Sequence, residues 1–197
     1  MKCHALIGLL LAGCAGHSGS DAAAIRDALT PVRVAAINVP LLFSVSTRAN
    51  LGATLVPVAQ NGPVRTWRTA DAVQISTAEG IVVATRGLGD DLMSADASAL
   101  LRALPAGGGQ YLRHTSRLDG NFGTIFEAWS CQLRTLGPDV VQTPLAQVSV
   151  IRFEETCTGG DAIFVNLYGR APDGTIWTSR QWIGPDLGYL DLALIRP

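Results

Sequence analysis

Residues 80–96 read GIVVATRGLGDDLMSAD. The β-branched run Ile81, Val82 and Val83 predicts a strand, and Ser94 predicts the start of a helix. Between them the pattern breaks at Arg86-Gly87-Leu88-Gly89, where two glycines bracket one leucine as a tight backbone path requires. Asp90 and Asp91 follow. The stretch therefore reads as a strand that delivers charge to a rim. Arg86 lies within a few residues of Asp90, Asp91 and Asp96, and the expectation is that it pairs with Asp90 or Asp91 while the acid caps the turn.

Working outward, residues 73–77 and 81–85 predict a hairpin across Ala78-Glu79-Gly80. Upstream, residues 54–58 lead through Asn61-Gly62, a tight-turn dipeptide, into 64–69. The runs 32–37 and 41–45 are also β-rich, interrupted by Pro40. Residues 94–104 space Ala97, Leu100, Leu101 and Leu104 as one short helix does. Gly107-Gly108-Gly109 then reads as a flexible turn, since no lysine follows to make a phosphate loop. Strands are predicted at 111–117, 124–136, 145–157, 162–169, 175–183 and 189–194, with turns at Asp119-Gly120, Gly159-Gly160 and Asp173-Gly174. So many strands without alternating long helices imply a mainly β, antiparallel fold, a partly closed barrel or a sandwich with one or two short helices.

The N-terminus carries an address. Lys2 is a short positive region, residues 5–11 are apolar, and Leu11-Ala12-Gly13-Cys14 is a lipobox, at which a bacterial lipoprotein is cleaved before its cysteine. Residues 1–13 are then a signal peptide, and Cys14 is the lipidated first residue, bearing enough acyl chains for stable membrane anchoring. Ala15 in place of Asp gives no inner-membrane retention signal, so outer-membrane delivery facing the periplasm is expected. Residues 14–30 read as a small, polar tether ending in a helix at 22–29, capped by Ser20 or Asp21 and stopped by Pro31. Residues 31–197 read as a single β domain. A chain of 197 residues with 48% hydrophobic content holds one sizeable core, and a net charge of −1 argues against a nucleic-acid partner.

Of four cysteines, Cys3 leaves with the signal peptide and Cys14 is acylated. Cys131 and Cys157 remain as a pair in an oxidising compartment, where a disulfide is the expected state and two buried free thiols the alternative.

Thr85-Arg86-Gly87-Leu88-Gly89-Asp90-Asp91-Leu92, the Asn61-Gly62 hairpin with Thr66-Trp67, and the end segment from Gly174 through Trp177, Arg180 and Trp182 to Pro185 resemble the YjbF/GfcB lipoprotein family of exopolysaccharide and group 4 capsule genes. The resemblance implies a barrel-like periplasmic lipoprotein that assists polysaccharide secretion, with polysaccharide or its export proteins as partners. It brings no catalytic residues, no cofactor and no metal.

Glycoside hydrolysis needs two carboxylates across a cleft, and Asp90, Asp91, Asp96, Glu154 and Glu155 qualify by residue type. Asp90 and Asp91, being adjacent, point different ways on an extended backbone. His114, alone within the predicted domain, has no serine elbow or second histidine beside it, which removes serine-hydrolase and zinc chemistry. A binding function draws on the rim residues Arg86, Gly87, Gly89, Asp90 and Asp91 and on Trp177, Arg180 and Trp182. Strand alternation sets Trp177 with Ser179 and Gln181 on one face, and Thr178, Arg180 and Trp182 on the other. Arg180 and Trp182 are either a platform for sugar rings or a core aromatic beside a solvated neighbour. A lipid or glycan carrier, and a polysaccharide-modifying hydrolase, stand as alternatives to an accessory role.

Overall fold

The computed structural model describes residues 20–89, 91–118 and 123–197. In chain order these form β1 (Ser20–Asp21), α1 (Ala22–Ala28), α2 (Pro31–Ala35), β2 (Leu41–Ser46), β3 (Leu51–Asn61), β4 (Val64–Arg68), β5 (Gln74–Ala78), β6 (Ile81–Arg86), β7 (Leu92–Ala95), α3 (Ser98–Ala103), β8 (Gly108–Leu118), β9 (Thr124–Gln142), β10 (Gln147–Gly159), β11 (Ala162–Arg170), β12 (Ile176–Gly184) and β13 (Gly188–Arg196). The lipobox, Cys14, Asp90 and the turn at Asp119-Gly120 lie outside the described residues.

Twelve strands follow one hydrogen-bonded path, β6-β5-β4-β3-β2-β13-β12-β11-β10-β9-β8-β7, and every ladder is antiparallel. This is a nearly closed barrel, not a sandwich. β13 pairs with β2, so the first and last long strands close on each other. The ends of the path are β6 and β7, which follow each other in sequence. The seam of the barrel therefore falls at the Arg-Gly-Leu-Gly stretch, and β6 and β7 share no backbone ladder among the described residues.

Alternation along each strand fills the lumen. One interior cluster gathers Leu42, Leu55, Trp67, Ile75, Val82, Leu92, Ile183, Leu190 and Leu192. A second brings Leu100 and Ala103 of α3, with Leu104 just after it, against Ile81, Leu133, Phe153, Tyr168 and Ile176. α3 thus stops part of one barrel end with its apolar side. On the outside, α1 and α2 lay Ala22, Ile25 and Val34 on Phe43, Val45 and Ile195 of β2 and β13. Each such fully buried aliphatic contributes about 1.5–3 kcal/mol.

Three expectations are corrected here. Residues 32–37 are not a strand: Thr30 accepts from the Arg33 amide, Pro31 opens α2, and Val34 is fully buried against the sheet. Proline at the first helical turn loses no hydrogen bond there, and one buried contact outweighs weak β propensity. Ser94 belongs to β7, while α3 begins only at Ser98, where Asp96 Oδ1 accepts from the Ser98 amide at 2.8 Å. Gly108 and Gly109 are not loop but the first residues of β8, paired with Arg134 and Leu133. At Gly108 a Cβ would come within 2.8 Å of the Leu133 carbonyl oxygen, so glycine permits the close approach of β8 to β9. The helix at the N-terminus does follow the expected cap, with Asp21 accepting from Ala23 N at 2.9 Å.

Cys131 and Cys157 stand directly opposite in β9 and β10 and are joined by a disulfide, with their Cα atoms 4.1 Å apart. A loop of 26 residues closed in this way contributes roughly 3–4 kcal/mol in the chain-entropy view.

Candidate functional site

The seam turn is built from its own side chains. Gly87 and Gly89 take φ of 88° and 100°, in the left-handed region that favours glycine. Between them Leu88 turns back onto the interior cluster of Trp67 and Leu92, corking that end of the barrel. Asp91 receives the Thr85 hydroxyl at 2.8 Å, the Gly87 amide at 2.7 Å and the Leu88 amide at 3.2 Å. The Leu92 amide donates to the Thr85 hydroxyl at 3.0 Å. Arg86 donates to the carbonyls of Thr85 and Leu92. The turn is capped by an acid, as expected, but Arg86 serves it through backbone carbonyls of β6 and β7 and not through Asp91. Side chains thus bridge the two strands where backbone pairing stops.

The centre of the lumen holds a buried ionic network. Glu155, fully buried, receives Tyr111 Oη at 2.9 Å on Oε1; on Oε2 it receives Arg113 NH1 at 3.0 Å, Asn166 Nδ2 at 2.7 Å and Tyr168 Oη at 2.8 Å. Burial acts against the Arg113 charge, yet the Glu155 carboxylate beside it holds the guanidinium above its ordinary value. Burial, and after it the same carboxylate, push the Tyr111 and Tyr168 phenols up. Asn166 also accepts from the Trp182 amide at 2.7 Å, where the β11–β12 ladder has ended. Gln181 completes the interior, donating to the Gly80 carbonyl and to Ser179 Oγ, each at 2.9 Å, and accepting from Val82 N at 2.8 Å.

Sequence reading had named Glu155 only as one carboxylate among five and had missed Tyr111, Arg113, Asn166 and Tyr168. A signal was present: Phe153, Glu155 and Cys157 share one strand face, and that face is core. The other carboxylates are spread apart. Asp96 caps α3, and the Ser98 amide lowers its pKa. Glu154 points outward to Arg134 at 2.8 Å. His114 is exposed on β8. Cys131, Cys157 and Glu155 lie within 4.8 Å of one another, but the sulfurs are bonded to each other and offer no thiolate to a metal.

Arg180 and Trp182 do not form a platform. Arg180 makes a bidentate pair with Asp191, 2.7 Å on both arms, on the outer face of the sheet. Trp182 stacks on Phe164 at 5.9 Å and meets Tyr189 edge-on at 5.1 Å, in a cluster that also holds Trp129 and the disulfide. It is a packed aromatic. Trp177 sits at a bulge of β12, where the register with β11 shifts, and lines a cavity.

That cavity, about 520 Å³, opens at the barrel end bearing the hairpin turns at residues 62–63, 79–80 and 171–175. Its lining joins Trp67, Leu42 and Leu192 of the interior to Gln60, Arg65 and Arg170. A second cavity of about 570 Å³ lies outside the barrel, between α1 and the long β9–β10 hairpin, with the Arg180–Asp191 pair in its wall.

The family model described as group 4 capsule polysaccharide lipoprotein gfcB, YjbF matches residues 22–195. Among solved structures, the hypothetical lipoprotein YmcC from Escherichia coli (K12) shares the fold, with a TM-score of 0.77 and 16% identity over 89% of this chain and 93% of that one. No curated protein matches the chain closely in sequence. The matched span runs from the first residue of α1 to the last strand, through the seam turn, the lumenal network and both cavities. The chain belongs to the YjbF family of group 4 capsule polysaccharide lipoproteins, bacterial envelope proteins with a role in capsule and exopolysaccharide production.

Proposed function

We propose that this protein is a lipid-anchored accessory of capsule or exopolysaccharide secretion, held at the periplasmic face of the outer membrane through Cys14 and acting by binding, not by catalysis. The observation that carries the reading is the family match across residues 22–195, joined to a lumen whose most buried carboxylate is already saturated. Glu155 takes four donors on its two oxygens, one of them a guanidinium, which leaves it no role as an acid or base toward a glycosidic bond. β1 begins at Ser20, six residues after Cys14, and is paired to β3, so the tether reaches at most roughly 20 Å. The barrel is thereby held close to the membrane surface.

Deletion of the gene in its bacterial host tests this, with exported polysaccharide measured against complementation by the unaltered chain and by Cys14→Ser. Deletion should lower output, the unaltered chain should restore it, and Cys14→Ser should shift the protein out of the membrane fraction and restore less. Normal polysaccharide in the deletion strain would sink the accessory role. Cleavage of a defined oligosaccharide by the purified chain would replace it with an enzyme.

A further inference from the structure

We infer that the cavity at the turn-bearing end of the barrel is a saccharide subsite that takes a short stretch of sugar carrying a carboxylate, and this rests on the polysaccharide role proposed above. A volume of about 520 Å³ lies within the roughly 300–1,000 Å³ range of sites that enclose small organic ligands. Its wall mixes three chemistries. Trp177, half-buried at the β12 bulge, presents an aromatic surface of the kind that packs on the apolar faces of sugar rings. Gln60, Thr175 and Ser179 offer the mixed donors and acceptors that hydroxyl groups match.

Two half-buried arginines complete it. Arg65 lies over the Trp67 ring, 5.3 Å from its centroid, with Nε given to Gln60 Oε1 at 3.1 Å. Arg170 lies against Gly174, where a Cβ would stand 3.0 Å from its NH2. Among the described residues, neither arginine has an ion-pair partner, whereas Arg113, Arg117, Arg134, Arg152 and Arg180 each have a carboxylate. The acids at this rim leave the forks open: Asp173 accepts from the Thr175 amide at 2.9 Å and acts on Arg170 through space without an ion-pair contact, and Glu79 is exposed on its turn. A half-buried guanidinium fork with no carboxylate in contact fits a planar carboxylate in two parallel hydrogen bonds.

An acyl chain fits this wall poorly, because insertion would strip water from both arginines and from Gln60 without replacing their bonds. Trp67 underlies the site with its indole N–H already given to Thr77 Oγ1 at 3.0 Å, so it supports Arg65 and leaves ligand contact to Trp177.

The test is titration of the full chain in detergent with trigalacturonic acid, its neutral methyl ester and a lysophospholipid, followed by calorimetry or by NMR of the tryptophan indoles. The acid should bind, the neutral ester at least tenfold more weakly, and Arg170→Gln and Trp177→Ala should each weaken the acid at least tenfold. Arg152→Gln, in the outer cavity, should leave it unchanged. Equal binding of acid and ester, binding indifferent to Arg170→Gln and Trp177→Ala, or binding of the lysophospholipid alone would overturn the inference. Its failure is separable from that of the accessory role. If deletion abolishes polysaccharide while no saccharide binds, the subsite falls and the role stands; if the acid binds while deletion changes nothing, the reverse holds.

Discussion

The side chain of Gln181 on β12 accepts a 2.8 Å hydrogen bond from the backbone amide of Val82 on β6, a strand that is its neighbour neither in sequence nor in the sheet. β6 is one end of the strand path, so the same amide donates into no ladder beyond β5. Gln181, 1% exposed, reaches across the lumen and takes both Val82 N–H and Gly80 C=O in hand. Gln181→Leu should leave the buried Val82 amide and the half-buried Gly80 carbonyl without partners, a loss of roughly 2–6 kcal/mol at ~1–3 kcal/mol each. For a chain of this size that is on the order of 4–24 °C in melting temperature. Hydrogen exchange at Val82 should accelerate by more than global destabilisation accounts for. An unchanged melting temperature would refute the cross-lumen brace.

Arg113 and Glu155 are both buried and meet at 3.0 Å, so each depends on the other. Removing one charge alone, as in Glu155→Leu, should destabilise by about 3–5 kcal/mol, because the arginine is left uncompensated. The double change Arg113→Leu with Glu155→Leu should recover a substantial part of that loss. Chemical denaturation of the single and double variants measures it, and additive losses would show that the pair is not a unit.

Alkaline pH should act through Tyr111 and Tyr168. In the folded chain burial, and then Glu155, hold both phenols above the ordinary value of 10.0. The unfolded chain has no such hold. A folded value raised above the unfolded one gives stability that is complete below pH 10 and declines as pH rises beyond it, because the unfolded tyrosines ionise first. Denaturation midpoints across this window should fall steeply in the native sequence and less steeply in Tyr168→Phe. Tyrosinate absorbance should show two of the three tyrosines titrating only on unfolding.

Asp91 and Arg86 hold the seam in different ways, and their variants should differ. Asp91→Ala removes the acceptor for three donors and should cost roughly 1–3 kcal/mol. Arg86→Ala removes an exposed side chain that donates to the carbonyls of Thr85 and Leu92 and should cost about 0.5–1.5 kcal/mol. Exchange should quicken at the facing edges of β6 and β7 in Asp91→Ala. Exported polysaccharide should follow the lost stability in both; loss of output in a variant that melts at the native temperature would instead mark this turn as a contact site.

What the sequence determined by itself is the local grammar: alternating strands, the Asn61-Gly62 hairpin and the Asp21 cap, each of which depends on residues near one another in the chain; the pairing of Cys131 with Cys157 followed from there being two cysteines left in the domain. Alternation also placed Ser179 and Gln181 on a single face, and that face proved to be lumen. It was silent on which strands would close the barrel, because pairing β13 with β2 depends on contacts about 150 residues apart. Only the tertiary structure decided that Arg86-Gly87-Leu88-Gly89 is a seam, that Glu155 is held by four donors from β8 and β11, and that Arg180 pairs with Asp191 while Trp182 packs into an aromatic cluster. The bulge that turns Trp177 toward a cavity is set by the register of β11 against β12. A one-residue shift of register exchanges the two faces of a strand, and no local pattern encodes where such a shift falls.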